Sequence, residues 1–263
     1  MHDRFLALHH ADTPLLIANA WDAASTALWQ HAGAQAIGTS SAALAWACGY
    51  ADGGPLDHDA LIGKVREITR VARVPVSIDF EDGYSDDPAQ VAAYVRELSS
   101  LGVVGINLED AGWSPDLLVA KIEAIRGAMG GTPFFINART DVYLRGMAKG
   151  EAAVAMTNER LARYATAGAS GVFVPGLADL QEIAAVASAT SLPLNVMIVP
   201  GLAPLDELHR AGVRRVSAGI NLFQHAFAAG LQAARAFLGG DVTRSFDRPM
   251  TYDELNALFD SVR

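Results

Sequence analysis

Acidic side chains follow directly after an apolar run in the first third of the chain. The sequence SIDFEDGYSDD spans residues 77–87 and carries these acids at the end of a predicted buried strand. Because strand side chains alternate, Asp79 and Glu81 lie on the same face. Acids are rarely buried without a partner, so this pair predicts a cation site or raised pKa values. The alternative is that the acids are solvated, with Asp86 in a loop and Asp87 capping a helix.

Two later apolar segments also end in charged residues. GINLED places Glu109 near its end, and FINAR ends in Arg139. Neighbouring strands lie roughly 4.8 Å apart, so Glu109 can reach the point that Asp79 and Glu81 approach. Ligation by oxygen atoms alone favours a hard cation, Mg²⁺ or Mn²⁺. These residues therefore predict a metal site shared by adjacent strands.

Arg139 could recognise an anion beside these acids. Its planar guanidinium suits a substrate carboxylate or phosphoryl group, and an ion pair with Asp141 or Glu109 is the structural alternative. The loop GTSSAA at 38–43 offers backbone N–H groups and hydroxyls, which can also bind anions. Asn195 lies in another strand-like segment and is a further candidate substrate ligand.

The chain that carries these residues consists of short apolar segments that alternate with longer amphipathic ones. The predicted strands are 15–20, 36–40, 75–80, 104–109, 134–139, 171–176, 193–199 and 214–220. The predicted helices are 22–32, 57–72, 88–101, 114–129, 150–167, 178–190, 204–211 and 221–238. Eight such pairs in about 250 residues predict a (β/α)8 TIM barrel, a single domain over residues 1–263, with an extra helix over 251–262.

A doubly wound open sheet is the alternative architecture, but no dinucleotide-binding or P-loop glycine motif follows any predicted strand. Both architectures place reacting groups at the carboxyl ends of parallel strands. The predicted cation and anion ligands lie at those ends. The barrel would therefore bring them to one mouth.

Composition excludes several classes of function. The formal net charge is −9 without a basic run, which argues against a nucleic-acid partner. No apolar stretch is long enough to cross a membrane, and a single cysteine, Cys48, suits a reducing cytoplasm. No strand ends in a lysine, which argues against Schiff-base chemistry, and the histidines lack zinc-ligand spacing.

Several motifs together resemble the isocitrate lyase/phosphoenolpyruvate mutase superfamily. They occur in the expected order between about Asn19 and Asn221, and they are NAWDAASTALWQHAGAQAIGTSSAALAWACGYADG, VSIDFEDGY, GINLED, INARTD, AGASGVFVPG and LPLNVMIVPG. The resemblance implies a (β/α)8 barrel whose last helix, here 221–238, is exchanged between the subunits of a homodimer or homotetramer.

The resemblance also implies a ligand set for Mg²⁺. The family's Asp-x-Asp motif corresponds to Asp79 and Glu81, so the second acid is a glutamate here. Glu109 corresponds to a ligand that acts through water, and Asp52 to an acid after the second strand. The family's substrate-binding arginine corresponds to Arg139. Its carboxylate-binding loop corresponds to 39–42, which comprises Thr39, Ser40, Ser41 and Ala42.

One segment departs from the family pattern. Lyases of the family carry a K-[KR]-C-G-H loop after the fourth strand, and phosphonate-forming mutases carry K-T-N-S. Here Glu109 is followed by DAGWSP, which contains neither Cys nor Lys and leads directly into a predicted helix at Ser114. The chain therefore resembles short-loop members of the superfamily.

The predicted activity is a Mg²⁺-dependent carbon–carbon lyase, a decarboxylase or aldol-type enzyme, that acts on a small 2-oxo or 2-hydroxy carboxylate through a metal-stabilised enolate. Decarboxylation needs no base, whereas aldol cleavage needs one. Tyr50, Tyr84, Asp52 or a metal-bound water are the candidates. Two alternatives remain open, namely phosphonopyruvate hydrolase or mutase chemistry and non-catalytic binding of a 2-oxo acid.

Overall fold

Eight parallel strands close into a barrel in chain order in the computed structural model, which describes residues 1–53, 56–243 and 250–260. The strands are β1 (Leu15–Ala20), β2 (Ile37–Thr39), β3 (Val76–Asp79), β4 (Gly105–Glu109), β5 (Phe135–Arg139), β6 (Gly171–Phe173), β7 (Leu194–Met197) and β8 (Val213–Ser217). The barrel is closed by β1 and β8, where Leu15 lies opposite Arg215. The predicted (β/α)8 fold is confirmed.

Eleven helices are present in the described part of the chain. They are α1 (His2–Leu8), α2 (Ala23–His31), α3 (Ser41–Ala47), α4 (His58–Val71), α5 (Pro88–Ser100), α6 (Pro115–Met129), α7 (Glu151–Ala167), α8 (Leu180–Ser188), α9 (Leu205–Arg210), α10 (Asn221–Leu238) and α11 (Tyr252–Asp260). The predicted C-terminal helix is present as α11, and positions 261–262 of that prediction lie outside the described residues.

Local sequence signals set many of the helix ends. The Asp57 side chain accepts a hydrogen bond of 2.8 Å from the backbone N–H of Ala60 and begins α4. Asp87 caps α5 in the same way, as predicted. Gly168 ends α7 with φ +107°, a left-handed conformation that glycine adopts without steric cost.

Two helices were not predicted. The segment 38–43, expected to be an open loop, contains the start of α3, and the Ser40 hydroxyl accepts a hydrogen bond of 3.4 Å from the backbone N–H of Ala43. The other helix is α1, which covers the amino-terminal end of the barrel. There His9 stacks on Phe135 with ring centroids 4.3 Å apart. Both helices have only seven residues.

Strand alternation separates an apolar outside from an interior that is only partly polar. Ile78, Ile106 and Ile136 are fully buried in the main hydrophobic core, which also contains residues of the surrounding helices. The intervening side chains point inward, where a second apolar cluster includes Ile17 and Phe135. Buried Asn107 and Arg215 belong to the polar part of the interior, which underlies the site described below.

Helix α10 matches the predicted bounds 221–238 and is largely exposed. Phe223 is buried against Trp21 and Trp46, whereas large apolar side chains farther along the helix face solvent, namely Phe227, Leu231, Phe237 and Leu238. No helix in the described residues is both long and apolar enough to cross a membrane.

Candidate active site

A cavity of about 560 Å³ opens at the carboxyl ends of the strands. Its wall contains most of the residues that the sequence singled out, namely Ser40, Ser41, Ala42, Asp52, Asp79, Glu81, Glu109 and Arg139. These residues come from β3, β4, β5, the start of α3 and the segments after β3 and α3. The barrel therefore gathers the predicted acids and the predicted arginine around one space.

Asp79 is held in the cavity wall by contacts to both of its carboxylate oxygens. Its Oδ2 accepts hydrogen bonds from the backbone N–H of Ser41 at 3.0 Å and from the Ser41 hydroxyl at 2.8 Å. Its Oδ1 lies 3.4 Å from the amide Nδ2 of Asn107. Its backbone N–H donates to the Thr39 hydroxyl at 2.8 Å. These contacts fix the carboxylate at the end of β3.

Arg139 is held between two carboxylates. Its Nη1 lies 2.6 Å from Glu109 Oε2, and its Nε lies 2.7 Å from Asp141 Oδ1. Burial raises the pKa of Glu109 to about 8, and the charges of Asp79, Asp141 and Glu81 act in the same direction, whereas Arg139 opposes the rise. Burial lowers the pKa of Arg139, but the surrounding carboxylates raise it above its ordinary value. Arg139 thus contacts both carboxylates in the wall of the cavity, and its pair with Glu109 becomes fully ionic as the pH rises through about 8.

Glu81 bonds to a tyrosine on its own loop. Its Oε1 accepts a hydrogen bond of 2.9 Å from the Tyr84 hydroxyl. Burial raises the pKa of Glu81, and the Tyr84 hydrogen bond opposes this while the charges of Asp79 and Asp52 add to it. Both Glu81 and Tyr84 have positive φ, at 48° and 58°. Non-glycine residues with this backbone conformation are uncommon and occur most often at functional sites.

The predicted metal ligands line the same cavity, but they are not arranged as a complete coordination site. In residues 1–53, 56–243 and 250–260, no three His, Cys, Asp or Glu side chains are close enough to hold a metal ion. Asp79, Glu81 and Glu109 instead bond to donors of the protein itself. The donor set fits a hard cation, because it consists of carboxylates and because burial with mutual repulsion raises the pKa of Glu81 and Glu109.

Four predicted residues do not line the cavity, namely Tyr84, described above as the donor to Glu81, and the three that follow. Thr39 is buried behind Asp79 and uses its hydroxyl to hold that residue's backbone. Asn195 is buried inside the barrel, where its Oδ1 accepts a hydrogen bond of 3.2 Å from the Ser217 hydroxyl. Tyr50 follows α3 and is 42% exposed outside the cavity wall. Asp52, by contrast, is exposed and lines the cavity.

Asp110 supports the site in a role that the sequence did not assign. Its Oδ2 accepts hydrogen bonds of 2.7 Å from Arg160 Nη1 and from the Tyr164 hydroxyl. Its Oδ1 accepts from the backbone N–H groups of Gly112 and Asp141. Burial alone would raise the pKa of Asp110, but neighbouring donors, Thr140 first and then Gly112, Tyr164 and Arg160, hold it below the ordinary value. The acidic pair at 109–110 was the only signal in the sequence, because two of the side-chain donors, Arg160 and Tyr164, come from distant α7.

The segment after β4 is short, as the sequence indicated. Only residues 110–114 separate β4 from α6, and they contain neither cysteine nor lysine. The Ala111 backbone has φ +49°. Gly112 has φ +76°, a backbone conformation that favours glycine, and a Cβ atom there would lie 2.5 Å from Arg145 Cδ, so the Arg145 side chain would have to move. The segment is therefore a compact turn against the rim of the cavity.

Comparison with known proteins identifies relatives of the whole barrel. An uncharacterized protein of Mycobacterium tuberculosis is 37% identical over 96% of this chain and 95% of that protein. The 2-methylisocitrate lyase of Escherichia coli is 30% identical over 80% of this chain and 75% of that enzyme. The oxaloacetate decarboxylase of Pseudomonas entomophila is 31% identical over 60% of this chain and 57% of that enzyme.

Solved structures share the same fold. A Burkholderia cenocepacia protein assigned as a lyase/mutase is 33% identical, covers 98% of this chain and 96% of its own, and has a TM-score of 0.89. A phosphonopyruvate hydrolase solved with oxalate and Mg²⁺ has a TM-score of 0.86 over 99% and 95% of the two chains, with 19% identity. The family model for phosphoenolpyruvate phosphomutase matches residues 5–238. The chain therefore belongs to the isocitrate lyase/phosphoenolpyruvate mutase superfamily of enzymes.

Proposed function

We propose that the protein is a Mg²⁺-dependent carbon–carbon lyase, either a decarboxylase or an aldol-type enzyme, that acts on a small 2-oxo or 2-hydroxy carboxylate. One observation carries the proposal. Asp79, Glu81, Glu109 and Arg139 line a single cavity at the carboxyl ends of the strands. The lyase names of the E. coli and P. entomophila relatives support the same chemistry.

Asp79, Glu81 and Glu109 are the residues that would hold Mg²⁺ (or Mn²⁺), with Asp52 as a further acid at the rim. When bound, the ion supplies a Lewis acid that stabilises the negative charge developing on the substrate's oxo oxygen. In the absence of the ion, Ser41, Tyr84 and Arg139 hold these three acids apart.

The substrate carboxylate is bound by Arg139 and the start of α3. The ion pairs of Arg139 leave N–H groups on Nη1 and Nη2 for a further anion, since a guanidinium has five such donors. Ser40, Ser41 and Ala42 line the same cavity and contribute polar groups. Thr39 and Asn195 act from behind the wall by holding Asp79 and Ser217.

Decarboxylation is the simpler of the two lyase reactions for this cavity, because carbon dioxide leaves without a general base. Aldol-type cleavage would need a base, and Asp52 is the candidate that lines the cavity. Tyr50 lies outside the wall, and the hydroxyl of Tyr84 donates to Glu81, so neither is placed to remove a substrate proton. The short segment 110–114 brings no cysteine to the site.

The activity can be tested by incubating the purified protein with Mg²⁺ and a panel of 2-oxo and 2-hydroxy acids. Products are followed by NMR against a protein-free control, because oxaloacetate decarboxylates slowly with metal alone. Enzymatic cleavage of a carbon–carbon bond supports the proposal. Faster release of phosphate from phosphonopyruvate would favour phosphorus–carbon chemistry, and binding without turnover of any compound would contradict catalysis.

The Asp79→Ala variant is expected to lose both Mg²⁺ binding and turnover, because Ser41 holds the Asp79 carboxylate in a fixed orientation at the cavity. Calorimetric titration with Mg²⁺ and the product assay measure the two effects. Asp86→Asn is the matched control, since Asp86 is an exposed acid of the same segment outside the cavity wall. Full activity of Asp79→Ala in the presence of a chelator would refute the metal role.

We also propose a cytoplasmic homodimer or homotetramer. The single cysteine, Cys48, suits a reducing compartment. The exposed apolar side chains of α10 suit exchange of this helix between subunits. The expected ligand is a small carboxylate, and the net charge of −9 argues against nucleic acid.

A further inference from the structure

A buried guanidinium lies directly behind the cavity wall. Arg215 projects from β8 into the barrel and is 1% exposed. No ion pair among the described residues includes it, and its Nη1 has no hydrogen-bond partner there. Burial lowers the pKa of Arg215 to about 10, and the charge of Asp79 opposes this shift. Burial of a charge in a barrel interior without a direct counter-ion carries a large desolvation penalty.

The hydrogen bonds of Arg215 lead to the cavity. Its Nη2 lies 3.3 Å from Asn107 Oδ1, and its Nε lies 3.4 Å from the Ser217 hydroxyl. Asn107 and Ser217 both line the cavity, whereas Arg215 does not. Arg215 therefore contacts the wall from inside the barrel at two places.

The contact with Asn107 determines which way its amide points. Asn107 Oδ1 accepts hydrogen bonds from Arg215 and from Asn137 Nδ2, the latter at 2.9 Å. The amide nitrogen must then face the other way, where it lies 3.4 Å from Asp79 Oδ1. A flipped amide would set its oxygen against the carboxylate and its N–H groups against the guanidinium, and both contacts are repulsive.

We propose that Arg215 is a positioning residue of the reaction, which acts through Asn107 to orient the Asp79 carboxylate in the cavity. The inference rests on the lyase function proposed above. It assigns no contact with substrate to Arg215. Arg215 is buried behind the wall, whereas Arg145 lines the cavity itself.

An Arg215→Met variant tests this role, because methionine fills similar space without charge or hydrogen bonds. With oxaloacetate and Mg²⁺ as the probe, we expect kcat to fall about 10- to 100-fold, the range for residues that orient metal-binding groups. The KM is expected to change little, since Arg139 remains in place. An Arg215→Lys variant should recover part of the kcat by restoring a charged donor to Asn107.

A double-mutant cycle separates positioning from a general loss of stability. If Arg215 acts through Asn107, adding Arg215→Met to Asn107→Ala should lower kcat little further. Arg126→Met is the control for removing an arginine with structural hydrogen bonds, because Arg126 is half-buried and bonds to the backbone of Gly168 and Phe134 away from the cavity. It is expected to lower the melting temperature and to leave kcat unchanged.

The outcomes distinguish this inference from the proposed function. Additive losses in the cycle, or an unchanged kcat in Arg215→Met beside an active wild type, would overturn the role of Arg215 alone. Wild-type protein that neither turns over oxaloacetate nor binds oxalate with Mg²⁺ would remove both proposals. Calorimetric titration of the wild type with oxalate and Mg²⁺ supplies this binding readout.

Discussion

Three acids of the cavity each contact a donor of the protein. Ser41 bonds to Asp79, Tyr84 bonds to Glu81, and Arg139 pairs with Glu109. Each donor stabilises the negative charge of its carboxylate, which offsets the cost of burial and the repulsion among the acids. A bound divalent cation would compete with these donors for the same oxygen atoms. Metal binding would therefore cost the free energy of the hydrogen bonds and ion pairs that the cation replaces.

Glu109 gives a pH-dependent test of this competition. Its pKa rises from an ordinary 4.5 to about 8 in the fold, so its protonated form stabilises the metal-free protein. That contribution is complete at low pH and is lost as the pH rises through about 8. Mg²⁺ binds the ionised form, so the increase in melting temperature caused by Mg²⁺ should grow between about pH 5 and about pH 8.

The measurement is thermal denaturation with Mg²⁺ or with a chelator across this pH range. Glu109→Gln is the matched variant, because it keeps the size of the side chain and removes the ionisation. It should weaken the Mg²⁺ effect and its dependence on pH. An equal Mg²⁺ effect at every pH in the wild type would contradict the role assigned to Glu109.

Tyr84 gives a second test at the level of a single hydrogen bond. Tyr84→Phe removes the hydroxyl that donates a hydrogen bond of 2.9 Å to Glu81. The half-buried Glu81 carboxylate then loses this hydrogen-bond donor. We expect the free energy of unfolding to fall by about 1 kcal/mol. Chemical denaturation measures the change, and Tyr252→Phe at an 81% exposed tyrosine is the control. Equal stability of the two variants would show that the Glu81 contact contributes nothing.

The sequence predicted several of the charged residues that line the cavity, because a strand end can be read from the apolar run before it. This holds for Asp79, Glu109 and Arg139. The sequence did not single out Asp82, Asp141 or Arg145, which also line the cavity. It did not separate lining residues from supporting ones. Thr39 and Asn195 lie behind the wall because of hydrogen bonds to partners 40 and 22 positions away, which a local pattern does not specify.

At the level of elements, contacts among β4, β5 and α7 fix the positions of the two acids that flank Arg139. Asp110 directly follows Glu109 and joins both strand ends to Arg160 and Tyr164 of α7. It also accepts the backbone N–H of Asp141 at 3.1 Å. One buried carboxylate therefore fixes the chain beside two of the charged groups that flank Arg139.

Replacing Asp110 should destabilise the fold and the site together. Asp110→Asn leaves the Arg160 guanidinium without its carboxylate, and breaking a buried pair in this way costs about 3–5 kcal/mol. Chemical denaturation and the product assay measure both losses. The control is Asp116→Asn at the exposed pair with Arg163, which should leave stability unchanged. Similar behaviour of the two variants would contradict a structural role for Asp110.

The alternation of strands and helices was predictable because each parallel strand is buried on both faces and each helix on one. All eight predicted strands exist, although the sixth ends at Phe173 rather than at 176. The missed helices α1 and α3 have seven residues each, too few for periodicity to distinguish a helix from a loop. The capping by Ser40 was a signal that could have identified α3.

At the scale of the whole molecule, α10 presents an apolar surface that the described chain does not cover. Phe227 is 55% exposed and Leu231 is 52% exposed, and they lie four residues apart on one side of the helix. Water contact with such side chains is unfavourable, and clusters of them typically mark interfaces. This surface fits the proposed exchange of 221–238 between subunits.

Leu231→Glu should therefore dissociate the assembly. A charge placed in the apolar contact would lose its hydration without gaining a partner, so the equilibrium would shift to monomers. Light scattering coupled to size-exclusion chromatography measures the mass of each species. Ala152→Glu, at an exposed position on α7, is the control and should leave the mass unchanged. A wild-type monomer, or an unchanged oligomer in Leu231→Glu, would show that α10 does not join the subunits.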